Sequence, residues 1–156
     1  MIDFHELMEE EKKFKEWREE NPGPVIWVTS CHVEHLLHTF SLYEGNIPPL
    51  RPISYHYVGR DMKRSILFKG SALFNPFKVK PWGEYEPGES ISLYKTHLWR
   101  LIKQENIHIM NELFEIYEES LQPRGIALAC WCSPAPCHAD VIKKAVLWLY
   151  NQRVSL

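Results

Sequence analysis

Three of the four cysteines and one histidine fall within nine residues near the C-terminal end: Cys130, Cys132, Cys137 and His138, with Asp140 two places on. A thiol next to an imidazole at the start of a helix can act as a nucleophile. Unpaired backbone N–H groups favour the thiolate there, and the neighbouring ring can take the proton. Cys137 is therefore the candidate nucleophile, with His138 and Asp140 as acid–base groups. Cys132 and Ser133 precede the same helix start, where an anion would be held. The residue types also suit zinc, with Cys130, Cys132, Cys137 and His138 as the alternative donor set. Against zinc, the spacing is not that of paired C-x-x-C knuckles, and adjacent Cys137 and His138 do not easily point at one ion. A third reading is plain packing of small apolar thiols, the favoured one for Cys130. Cys31 and His32 stand at a similar turn earlier in the chain and read as caps and core. His5, His35, His38, His56, His97 and His108 have no partner that the sequence names.

The elements around this motif place it. The apolar run Ile126-Ala127-Leu128-Ala129 leads in, and a helical pattern from Val141 to Tyr150 leads out. On a strand Cys130 and Cys132 would share a face, with Trp131 on the other. Pro136 suits a first helical position. The motif thus sits where a strand hands over to a helix, the place where α/β proteins bind ligands.

Upstream, residues 1–22 hold eight acids and four bases. Phe4, Leu7, Met8, Phe14 and Trp17 form a helical stripe, Asp3 is a good N-cap, and Asn21-Pro22-Gly23-Pro24 stops the pattern. This reads as an acidic amphipathic helix packed on the domain, or alternatively as an arm for a protein partner. Residues 24–29 form a short apolar run of the buried parallel kind. Ser30 would cap a helix to Tyr43. Ile53 to Val58 alternates like a second strand, and Gly59-Arg60 follows its end. From Arg60 to Lys80 six bases (Arg60, Lys63, Arg64, Lys69, Lys78, Lys80) face one acid, Asp61. Asn75-Pro76-Phe77 reads as a turn. Ser90 would cap a helix to Lys103, a second runs from Ile107 to Leu121, and the last runs from residue 137 or 138 to about residue 152.

Strands alternating with helices predict an α/β fold: a small, mainly parallel sheet flanked by helices, Rossmann-like and three-layered. Length fits one domain over 1–156, with the core over 25–150. Net charge is −2 with pI about 6.4, which gives no broad phosphate-tracking face, so nucleic acid is not the expected partner. There is no long apolar run and no signal peptide; no membrane role and a cytoplasmic location are expected.

Tyr57-Val58-Gly59-Arg60, then Asn75-Pro76-Phe77, a pair of helices, and Cys130-Trp131-Cys132-Ser133-Pro134-Ala135-Pro136-Cys137-His138-Ala139-Asp140-Val141 together resemble the domain of unknown function 4326, found in phages and bacteria. Its pattern is G-R, a nearby G-N-P-F, and a terminal C-W-C-x-P-x-P-C-H-G-D-V. The resemblance covers about residues 55–150. Ala139 stands where that family has glycine, and Phe74 where glycine precedes N-P-F. The resemblance implies a phage or bacterial setting, and it supplies no established activity.

The functional expectation is a ligand site for a nucleotide, nucleoside or similar small anion. Gly59, Arg60, Asn75, Cys132 and Ser133 would bind it, and Cys137, His138 and Asp140 would act on it if the protein is an enzyme. A zinc-binding Cys/His module, or a phage protein that binds a host factor without chemistry, are the alternatives. All of this requires the segments around residues 60 and 137 to meet over a common pocket at one edge of the sheet, with the thiols open to it rather than sealed in the interior.

Overall fold

A computed structural model describes residues 3–31, 54–62, 69–131 and 137–154. Helix α1 spans Phe4–Glu20. Asp3 caps it by accepting from the backbone N–H groups of His5 and Glu6. Strand β1 is Ile26–Ser30 and β2 is Tyr55–Tyr57. Two helices follow, α2 over Pro87–Lys103 and α3 over Ile107–Ser120. Strand β3 is Ile126–Cys130, and α4 is His138–Val154. The helix expected from Ser30 to Tyr43 lies outside the described residues.

The described strands form one parallel sheet in the order β1-β3-β2, with Ile26 opposite Ile126 and Tyr57 opposite Ala129. β3 is the central strand. It is paired on both sides and buried along its whole length, which is why its sequence is an uninterrupted apolar run. Alternation along the strands divides the interior in two. Ile26, Ile126, Leu128 and Cys130 join the main core with α2, α3 and α4. Trp27 and Ala127, one residue out of phase, cluster with Val25 and are covered by Trp17 of α1. The sheet is thus sandwiched, as the periodicities predict. Among the described residues no helix is long and apolar enough to cross a membrane.

Two local features carry the fold's turns. Gly125 sits at φ +66°, and a Cβ there would run into the Val25 carbonyl, which accepts the Ile126 N–H. Only glycine meets both demands cheaply. Helix α2 begins four residues earlier than a Ser90 cap predicts, with Glu86 at the cap position. Pro87 occupies the first turn, where its fixed φ suits helix entry, and Ser90 lies buried inside the helix. The Ser90 hydroxyl instead donates to the Phe77 carbonyl and accepts from the Asn75 amide, fastening the long loop to α2.

Candidate functional site

β3 ends at Cys130 and α4 begins at His138, so the motif does bridge a strand end and a helix start. Cys137 acts as the N-cap. Its Sγ accepts from the Ala139 N–H at 3.4 Å, while its own N–H donates to the Asp140 carboxylate at 3.1 Å. This is the reciprocal logic of a capping box, with a thiol where serine or threonine is usual. Asp140, expected in acid–base chemistry, has one oxygen engaged in holding the helix start.

His138 is 4% exposed. Its Nε2 lies 2.6 Å from the Val58 carbonyl oxygen, which can only accept, so Nε2 carries the proton. Nδ1 of the neutral ring is then an acceptor, and it faces Cys137 Sγ at 3.5 Å. Burial pushes the His138 pKa down. The Val58 bond opposes this, the Arg60 charge adds to it, and Asp140 opposes it; the net direction is down. The resting pair is therefore a neutral imidazole accepting from a thiol. Tyr94 packs edge-on against the ring at 5.1 Å.

The Cys130 and Cys137 sulfurs also meet, with their Cα atoms 7.8 Å apart. Disulfides ordinarily join Cα atoms about 4.4–6.8 Å apart. The wider Cα span here favours two thiols brought together across the β3–α4 turn over a formed disulfide. Both are buried, as is Cys31, whose N–H donates to the Cys130 carbonyl. Cys130 and Cys31 fit the packing reading on burial.

The segment after β2 closes on the same place. Val58 supplies the carbonyl for His138. The Tyr57 hydroxyl donates to the Arg60 carbonyl at 2.6 Å and accepts from the Trp131 indole at 3.2 Å. A Cβ at Gly59 would collide with the Tyr57 ring, so glycine lets the chain turn beneath that hydroxyl. Arg60 donates from Nη2 to the Asn75 carbonyl at 2.5 Å and lies over the Phe74 ring. Asn75 accepts from the Phe77 N–H and donates to Ser90. Arg60 and Asn75 thus serve first as loop clamps, the structural alternative to direct ligand contact. The two distant segments do meet, and they close over Cys137 and His138, which are 2% and 4% exposed, rather than over an open pocket at the thiols.

Cys132 and Ser133 lie outside the described residues, as do Lys63, Arg64 and His32. A zinc ion finds a poor donor set in what is described: no group of three or more His, Cys, Asp or Glu side chains converges. His138 also directs Nε2 at a carbonyl rather than at the thiols.

One cluster carries no signal in the sequence. His56, on β2, places Nε2 2.8 Å from Glu112 Oε1 on α3, and the Ser71 hydroxyl donates to the same oxygen. Burial alone would raise the Glu112 pKa. The His56 and Ser71 hydrogen bonds, the His56 charge and the Ala72 N–H outweigh it and hold the carboxyl below its ordinary value. No local spacing links these residues. Only the alternation of β2, which turns His56 away from Tyr55 and Tyr57, hinted at an inward imidazole.

An uncharacterized 12.4 kDa protein in the nrdA-td intergenic region of Enterobacteria phage T4 is 31% identical over 105 residues, covering 63% of this chain and 89% of that protein. No solved structure matches. The family model for the domain of unknown function DUF4326 matches residues 51–148, which hold β2, β3, the clamp at Arg60 and the Cys137–His138 pair. The chain belongs to the DUF4326 family.

Proposed function

We propose that this protein binds a nucleotide, nucleoside or similar small anion beside the start of α4, and that Cys137 is the group that reacts with it. The observation that carries this reading is the Cys137 Sγ to His138 Nδ1 contact of 3.5 Å, with the far nitrogen of the ring fixed on Val58. Transfer of the thiol proton to Nδ1 would leave a thiolate supported by the Ala139 N–H and an imidazolium supported by the Val58 carbonyl. Arg60 supplies the nearby positive charge, and its guanidinium suits a phosphate or carboxylate. Cys137 is 2% exposed, so reaction with a ligand requires the site to open.

The test is calorimetric titration of the full chain with nucleoside monophosphates, nucleosides and inorganic phosphate, followed by intact mass spectrometry for a covalent adduct. Saturable binding that Arg60→Ala weakens by roughly tenfold, about 1.4 kcal/mol, supports the reading. An adduct lost in Cys137→Ser assigns the nucleophile. Absence of binding by every probe removes the proposal.

A further inference from the structure

A cavity of about 300 Å³ opens beside β2, lined by Tyr55, His56, Tyr57, Lys69, Ser71 and Glu112, with Gly70 at its wall. It shares strand β2 with the Cys137 site, and Tyr57, whose hydroxyl bonds Arg60 and Trp131, borders both. Its chemistry follows from how the polar groups are spent. Glu112 accepts from His56 and from Ser71 through one oxygen, and the Ala72 N–H adds a further bond. The carboxylate has little capacity left to act as a base. The Ser71 hydroxyl directs its proton at Glu112 and accepts from the Leu73 N–H, so it is not activated by the imidazole. The arrangement is therefore not a serine nucleophile with a histidine base.

What remains is an oriented imidazole. Because Nε2–H is given to Glu112, Nδ1 is the acceptor of the ring. Lys69 is exposed at the mouth and adds one cation to the lining. Tyr55 and Tyr57 border the cavity, and Tyr55 is 47% exposed. A cation, an oriented imidazole and aromatic walls fit a ligand that is flat at one end and negative at the other. The volume is at the lower end of small-molecule sites.

We infer that this cavity binds a small phosphorylated or carboxylated molecule carrying a planar ring, with Lys69 taking the anionic group, His56 Nδ1 accepting a hydrogen bond from the ligand and the tyrosines beside the ring. Gly70 keeps the wall thin. A Cβ there would press on Asp61 at 2.9 Å, so the segment from 69 to 71 stays close against residue 61.

The experiment is NMR titration of the full chain, following the His56 imidazole and the Gly70 and Ser71 amides. The probes are phenyl phosphate, benzoate, phenol and inorganic phosphate. Saturable shifts at these groups with phenyl phosphate or benzoate support the site, and the stronger of the two names the anion. Phenol and inorganic phosphate, each lacking half of the ligand, should bind at least roughly tenfold more weakly. Lys69→Ala, an exposed position, should weaken the anionic ring probes by a similar factor while leaving the amide spectrum folded. Phenol binding as well as phenyl phosphate, binding unchanged in Lys69→Ala, no saturable shift at all, or shifts confined to Cys137 and His138 would each overturn the inference. The last outcome would leave the Cys137 reading intact.

Discussion

His138 reaches across eighty residues of sequence to bond the Val58 carbonyl, Nε2 to oxygen 2.6 Å. That single bond fixes the ring's tautomer, aims Nδ1 at Cys137, and joins the end of β2 to the start of α4.

The depressed His138 pKa should appear as a pH dependence of stability. An unfolded histidine titrates near ~6.5, and the folded one lower. As pH falls, the unfolded chain takes up the proton first. The contribution of His138 is therefore complete above about pH 6.5 and is lost as pH falls toward the folded value. His97 is shifted the same way by burial and by Arg100, so the informative quantity is a difference. Thermal melts between pH 7.5 and 5.5 should show a shallower dependence in His138→Gln than in the wild type.

Replacing Cys137 separates its cap role from its chemistry. Serine retains a side-chain acceptor for the Ala139 N–H, whereas alanine does not. Cys137→Ala should cost about 1 kcal/mol more than Cys137→Ser in urea unfolding. Equal losses would mean that the sulfur contributes no cap.

Glu112→Gln keeps the shape but removes the charge that His56 and Ser71 address. Unfolding should show a loss of about 1–3 kcal/mol at neutral pH. Because the folded Glu112 pKa lies below its ordinary 4.5, its stabilisation is present above that value and lost as pH falls through the lower, folded value. The variant should therefore lose less stability on acidification than the wild type.

Ser90→Ala should destabilise through the loop rather than the helix. Two part-buried hydrogen bonds, to Phe77 and from Asn75, go with the hydroxyl, at a cost of about 1–3 kcal/mol. Hydrogen exchange should accelerate at residues 75–77 more than in the first turn of α2. The opposite pattern would restore Ser90 as a helix cap.

Metal analysis of protein purified without chelators tests the zinc alternative. Less than about a tenth of an equivalent is expected, since a structural zinc site would hold close to one through purification.

The parts of the fold legible in sequence are those written in local pattern. Asp3 as the cap of α1, the apolar run of β3 and the Asn75-Pro76-Phe77 turn all act where they stand, whereas Phe4 and Met8 of the expected α1 stripe are exposed instead of packed on the domain. The Cys137–His138 pair was legible for the same reason, being contiguous. Ser90 misled because a cap residue type competed with Pro87, whose ring already fixes a helical φ. Arg60 and Asn75 were found as a pair, but their mutual bond, which makes them clamps, is tertiary. The contact of His56 with Glu112 spans 56 residues and has no periodicity to betray it. It depends on how α3 lies against β2, which no short window encodes.

The family match begins at residue 51, yet β1 and α1 lie before it. Arg18 donates to the carbonyls of Asn21, Gly23, Ser120 and Gln122, and Arg124 pairs with Glu11, so α1 is riveted to the turn that feeds β3. Deleting residues 1–22 would thus strip Trp17 from Trp27 and Ala127 and remove the Arg18 and Glu11 bonds to that turn. A truncated chain that fails to capture a partner would then report a damaged scaffold, and point changes on the outward side of α1, such as at Phe4 or Met8, are the cleaner probes of recognition.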